Sequence, residues 1–201
     1  MCIRDSKYIC VLAGPGTGKT LTITAKIINL LKEGTQPKEI AALTFTQKAA
    51  IQMRERVIKS LHRKEDLPFI GTFHLLCLRL LREFLPDKER FFQLCTRTKQ
   101  REILSSLSER NVDKIIEKIS KFKNTGLKID DKYKLVYEKY EQKKEKLNLL
   151  DFDDLLIKTL KLINEKTIPP LFFHIIVDEF QDINKIQYEI VKGLLKRNGS
   201  L

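Results

Sequence analysis

The sequence predicts an α/β fold: a parallel sheet flanked by helices, with one all-helical subdomain inserted into it. Three observations carry this. Short apolar runs alternate with amphipathic stretches up to residue 85 and again after residue 147, the pattern of strands joined by helical crossovers. Between them strand signals vanish, and Lys, Arg and Glu dominate. A glycine-rich loop also stands between the first apolar run and the first helical one.

The 201 residues allow one large domain, or one domain carrying an insertion. The net charge of +12 points to a polyanionic partner, nucleic acid first and an anionic membrane surface second. A Lys-rich composition with no such partner accounts for the charge equally well. Cys2, Cys10, Cys77 and Cys95 have no metal-type spacing and read as reduced thiols of a cytoplasmic protein. No apolar run approaches the ~20 residues that span a bilayer. The N-terminus has no signal-peptide core, so no export is expected.

Residues 1–6 carry no pattern and are set apart from the fold. Tyr8-Ile9-Cys10-Val11-Leu12 reads as a buried strand. Ala13-Gly14-Pro15-Gly16-Thr17-Gly18-Lys19-Thr20 follows and reads as a phosphate-binding loop, with Ala13 where the strict pattern has glycine. Backbone N–H groups must wrap a polyphosphate, and side chains at Gly14, Gly16 and Gly18 would block that approach. Lys19 is placed to reach the β- and γ-phosphates, and the Thr20 hydroxyl to hold Mg²⁺. A chance glycine-rich turn is disfavoured, because strand, loop, Lys-Thr and helix come in the required order.

A helix is expected over 21–31, with Gly34 as its C-cap. Gln36-Pro37 breaks the chain, and residues 40–45 read as a second buried strand. A helix over 49–61, a short strand over 69–73 and a helix over 75–85 follow, the last ended by Pro86. Further helices are expected near 98–109, 112–123 and 131–147. In the last, Tyr133, Val136, Tyr137 and Tyr140 share one face, which reads as core rather than as a base-stacking stripe. The surrounding Lys and Arg suit a nucleic-acid backbone or a solvated face, and both readings stay open.

Asp151 reads as the N-cap of a helix reaching residue 165. The cluster Asp151-Phe152-Asp153-Asp154 reads as caps and helix-dipole complement in preference to a metal site. Pro169-Pro170 interrupts, Phe172 to Val177 forms a strand, and a final helix spans 184–196. His62 and His174 carry no functional signal. Asp178-Glu179 directly follows the strand. One carboxylate at a strand end completes a Mg²⁺ shell, and its neighbour takes a proton from an attacking water. The long separation from the loop is explained by the helical insertion.

These motifs, in this order, resemble the N-terminal part of a UvrD/Rep-type superfamily 1 DNA helicase. Residues 13–20 resemble its Walker A, alanine included. Ala42 to Ala50 resembles motif Ia, with Gln47 where asparagine is usual. Gly71-Thr72-Phe73-His74 resembles the next DNA-contact motif, and Leu150 to Leu156 the segment returning from the inserted subdomain. Val177-Asp178-Glu179-Phe180-Gln181-Asp182, with Asn184 and Gln187-Tyr188, resembles motif II.

The resemblance implies a RecA-like core in two parts, 7–85 and 148–201, around an inserted helical subdomain at 86–147. It implies ATP and Mg²⁺ held by Ala13, Gly14, Pro15, Gly16, Thr17, Gly18, Lys19, Thr20 and Asp178, with catalysis by Lys19, Asp178, Glu179 and Gln181. It implies contacts of Thr44, Phe45, Thr46, Thr72, Phe73 and His74 with single-stranded DNA and single-strand/duplex junctions, in a motor moving 3′ to 5′. For Phe45 and Phe73 an ordinary core role stays open, and for His74 a plain helix-start role.

Two departures stand against the family pattern. Only Met1 to Lys7 precede the first strand, where an adenine-contacting glutamine motif is usual. The chain also reaches Leu201 without the third motif or a second RecA-like core with its arginine finger. The expectation is an N-terminal fragment, weak in ATP hydrolysis alone and completed by C-terminal helicase domains. The alternatives are the helicase part of a RecB/AddA-like helicase–nuclease and a non-catalytic nucleotide- or DNA-binding module. A P-loop kinase or transferase is disfavoured by residues 71–74 and 178–181.

Overall fold

The computed structural model describes residues 18–62, 65–108 and 111–201. The expected first strand and residues 1–17, including most of the glycine-rich loop, lie outside the described residues.

Helix α1 (Lys19–Lys32) ends as expected: Gly34 takes a left-handed φ of 93°. That turn lets the Thr35 N–H bond the Leu30 carbonyl at 3.0 Å, closing the helix. Strand β1 (Ile40–Thr44) is buried along its whole length, as a parallel strand covered on both faces must be. Helix α2 (Gln47–Leu61) starts where the Thr46 hydroxyl accepts from the Ala49 N–H at 3.1 Å. Strand β2 (Phe69–Thr72) leads directly into α3 (Phe73–Phe84), whose N-cap is Thr72. Phe73, expected to close the strand, is therefore the first residue of the helix. The Thr72 hydroxyl's bond to the Leu75 N–H forces that switch.

The middle of the chain is helical, as read: α4 (Arg97–Ser105), α5 (Val112–Thr125) and α6 (Asp131–Lys146). Two strands of two residues frame it, β3 (Gln93–Leu94) and β4 (Leu149–Leu150), paired in parallel. A strand that short has no readable period, so the pairing left no sequence signal. The three helices enclose their own apolar cluster, with Ile103, Leu104, Ile115, Ile116 and Ile119. Tyr133 and Tyr140 are buried in it, and Val136 and Tyr137 pack against it, so the tyrosine stripe is core.

After β4 come α7 (Phe152–Asn164), β5 (Phe172–Val177), α8 (Lys185–Leu194) and β6 (Leu195–Ser200). The last helix is shorter than expected, because its end becomes β6. The Lys196-Arg197-Asn198-Gly199 stretch shows no apolar alternation, and among the described residues the strand pairs with β5, with a register shift between Phe172 and His174.

The described sheet is parallel, in the order β2-β1-β5-β6. One face packs on α3, α7 and α8 through Ala41, Leu43, Leu76, Leu155, Ile175 and Ile190. The other packs on α1 and α2 through Ile27, Ala42, Met53, Val57 and Ile70.

A buried ionic cluster joins the helices of the middle region to the start of α7. The Asp151 carboxylate accepts from Lys123 and Lys144 at 2.9 Å each, and from the Tyr140 hydroxyl at 3.0 Å. Asp154 also pairs with both lysines, and so does Glu141. Asp151 and Asp154 form a capping box on α7 at the same time. The caps reading of this acidic run is thus the one the structure displays, and the positive counter-charges are lysines. Burial opposes the charged form of Asp151, but the two ammonium groups outweigh it and hold the carboxyl well below its usual range.

Removing one cation should leave buried carboxylates under-compensated. Lys144→Met is expected to cost about 3–5 kcal/mol in urea denaturation. Because the folded pKa of Asp151 is depressed, its contribution is present above roughly pH 4 and lost as pH falls through the folded value. The wild-type advantage over Lys144→Met should therefore shrink in acid. An advantage independent of pH would contradict this.

Candidate functional site

Parallel register decides what shares an edge. Thr44 pairs with Thr72, and Leu43 with Val177, so β1, β2 and β5 all end on the same side of the sheet. The ladder extends one step further, since the Asp178 N–H donates to the Leu43 carbonyl at 2.9 Å. The acid pair after β5 thus stands beside Thr44-Phe45-Thr46 at the end of β1 and Thr72-Phe73-His74 at the end of β2. In α/β sheets this carboxyl edge is where ligands bind.

The N-terminus of α1 reaches the same place. Lys19 Nζ donates to Glu179 Oε2 at 3.0 Å, and Gln181 Nε2 donates to the same oxygen at 2.6 Å. Glu179 has a left-handed φ of 51°, which turns the chain sharply after the strand and aims its side chain at the lysine. Its backbone N–H meets Asp178 Oδ1 at 3.1 Å. The hydrogen bonds from Gln181 and Lys19 hold the Glu179 carboxyl below its ordinary range. Asp178 moves the other way: burial and the adjacent Glu179 charge raise it. Two neighbouring carboxylates are thereby given different proton affinities, the usual condition for dividing two tasks.

The residues fit a nucleotide with a divalent cation. Gly18, at φ 88°, puts no side-chain cap on α1, and no acid lies in the first turn. The N–H groups there face outward with the positive end of the helix dipole, beside a lysine and a pair of carboxylates. Thr20 sits in that turn, partly exposed.

Of the residues at the ends of β1 and β2, the structure puts Thr44 and Phe73 inside. Thr44 is fully buried, with its hydroxyl donating to the Thr46 carbonyl at 3.0 Å, and Phe73 belongs to the main core. Phe45 is 40% exposed, its ring 6.3 Å from that of Phe73. The core ring backs the exposed one. Thr46 and Thr72 present their hydroxyls as helix caps. His74 meets Phe152 edge-on at 5.2 Å. Phe152 is 39% exposed and was not singled out in the sequence as a site residue. Its signal, an aromatic at the first position of a capped helix, is weak without the fold that brings it to β2. Burial lowers the His74 pKa, and the Asp153 carboxylate partly restores it. No helix among the described residues is long and apolar enough to cross a membrane.

A family model described as the UvrD/REP helicase N-terminal domain matches residues 2–201. A probable DNA helicase II homolog of Mycoplasma capricolum is 32% identical over 96% of this chain and 31% of its own length. The ATP-dependent DNA helicase PcrA of Bacillus subtilis is 36% identical over 94% of this chain and 29% of its own. PcrA of Staphylococcus aureus is 33% identical, with 94% and 30% covered. The chain thus spans less than a third of the length of these curated relatives.

The His74 environment makes a pH prediction. Its imidazole should titrate below the ordinary value near 6.5, and Asp153→Asn should push the midpoint lower, because the charge favouring imidazolium is gone. NMR titration of the ring proton reads this directly; a midpoint that rises in Asp153→Asn would contradict the geometry. Since the folded pKa is depressed, protonation of His74 should cost stability as pH falls through its unfolded value.

Proposed function

The chain belongs to the UvrD/REP helicase family, and on that premise we propose that it provides the first ATP-binding core of an ATP-dependent DNA translocase and helicase. The observation that carries this reading is the contact of Lys19 and Gln181 with Glu179, beside Asp178, at the carboxyl edge of the sheet. In the proposal, residues 7–85 and 148–201 build the core, and 86–147 is the inserted helical subdomain.

Residues 13–20 hold the nucleotide phosphates, with Lys19 and the N-terminus of α1 offsetting their charge. Thr20 and Asp178 hold Mg²⁺. MgATP, when bound, supplies the anhydride to be cleaved and a divalent charge that neutralises its oxygens. Glu179 accepts the proton of the attacking water. Gln181 orients that carboxylate through its amide and reports on the γ-phosphate side to the DNA track. Asp178, whose neutral form is favoured by burial and by Glu179, is steadied as a carboxylate by a cation placed against it.

The DNA side is Thr44, Phe45, Thr46, Thr72, Phe73 and His74. Phe45 offers the stacking face, Phe73 backs it, Thr44 fixes the turn, and Thr46, Thr72 and His74 supply polar contacts. Movement runs 3′ to 5′ along single-stranded DNA towards a duplex junction, driven by closure against further helicase domains. The relatives' greater length supports the need for those domains.

Two measurements on the full-length protein test this. DNA-stimulated ATP turnover should fall by about 10²-fold or more in Lys19→Ala and in Glu179→Gln; unchanged turnover in either removes the assignment. Phe45→Ala should weaken single-strand binding by ~1–3 kcal/mol while leaving ATP affinity intact. An unaltered DNA affinity would return Phe45 to the core alone.

A further inference from the structure

We propose that Asn124, in the last turn of α5, is a positioning residue that ties the inserted helices to the turn carrying Asp178, Glu179 and Gln181. The inference rests on the helicase reading and extends it to a residue outside both the nucleotide and DNA sets.

Both ends of the Asn124 amide are used, and they point to different parts of the fold. Its Oδ1 accepts from Asn184 Nδ2 at 3.1 Å. Its Nδ2 donates to Asp153 Oδ1 at 2.7 Å and to the Ser120 carbonyl of its own helix at 2.9 Å. Ser120 also donates to Asp153, at 3.1 Å. One side chain of the insertion therefore bridges the start of α8 and the start of α7.

Each of those helix starts lies beside one of the proposed sites. Asn184 is the N-cap of α8, in a reciprocal capping box with Gln187. Only Asp182 and Ile183 separate it from Gln181, and the intervening chain is a tight 3₁₀ turn over Phe180–Asp182. A short turn transmits a displacement at Gln181 to Asn184 with little slack. On the other side, Asp153 adjoins Phe152, whose ring meets His74. The β3–β4 pair and the Lys123 and Lys144 ion pairs tie the insertion to residues 149–154 and not to the turn after β5. The bond between Asn124 and Asn184 instead reaches the residue that follows this turn and Ile183, and it sets the position of the insertion by that of the nucleotide turn.

The roles separate cleanly by substitution. Asn184→Asp keeps an N-cap acceptor for the Gln187 N–H but removes the amide donor to Asn124. Asn124→Ala removes the bridge from the other side. In the full-length protein, each single variant should lower DNA-stimulated kcat by roughly 2- to 30-fold. DNA-free turnover and the KM for ATP should stay unchanged. The double variant should be no worse than Asn124→Ala alone, because that substitution already removes the one bond that Asn184→Asp deletes. Losses that multiply, or stimulation that stays at the wild-type level in Asn184→Asp, would overturn the proposal. Equal loss of DNA-free and DNA-stimulated turnover would also overturn it, reducing Asn124 to a structural role. If Asn124→Ala does not fold, Asn184→Asp alone decides by the same kcat-against-KM split. A wild-type protein without DNA-stimulated turnover overturns the helicase reading and this proposal together. A stimulated wild type indifferent to both substitutions sinks only the bridge.

Discussion

Everything in this molecule depends on the pairing of β1 with β5. Those strands are neighbours in space and far apart in sequence, with Ile40 opposite His174 and Leu43 opposite Val177. Parallel neighbours cannot be joined by a tight turn, so a long excursion between them is a requirement of the geometry. The chain uses that excursion to build β2, α3 and the inserted helices. The final rung, from the Asp178 N–H to the Leu43 carbonyl, fixes how far the acidic residue protrudes past the sheet. A register slip of one residue would exchange the faces of the strand and withdraw the acid pair from Lys19.

An excursion that long needs firm anchors at its return. The β3–β4 pair supplies a short backbone clasp. The Lys123 and Lys144 cluster supplies a charged one, with three carboxylates and a tyrosine hydroxyl around two ammonium groups. Ion pairs of this kind add little net stability against an apolar replacement, since desolvation consumes most of the Coulomb gain. They do penalise any arrangement that separates the partners. The cluster therefore holds the insertion in one orientation on α7, and it is Asp151 and Asp154 of the capping box that do so.

What was legible in the sequence follows from which signals are local. Apolar runs such as Ile40–Thr44 and Phe172–Val177 and the cap residues Thr46, Thr72 and Asp151 declare themselves within a few positions. So do Lys19 and the acid pair Asp178-Glu179, which motif chemistry marks as one site, and the structure brings them within hydrogen-bond reach. The misses are non-local. β3, β4 and β6 exist because a partner strand is present, and their residues show no alternation of their own. Phe152 approaches His74 only after the insertion has returned to the core. Phe73 looked like a strand end because its apolar run continues past the point where the Thr72 hydroxyl starts the helix.

In the proposed division of labour, Asp178 serves the cation and Glu179 the proton. The most direct test is equilibrium ATP binding to the full-length protein, titrated with Mg²⁺, in Asp178→Asn and Glu179→Gln. Asp178→Asn is expected to lose the Mg²⁺-dependent gain in affinity and Glu179→Gln to keep it. A gain that survives in Asp178→Asn, or disappears in Glu179→Gln, would contradict it.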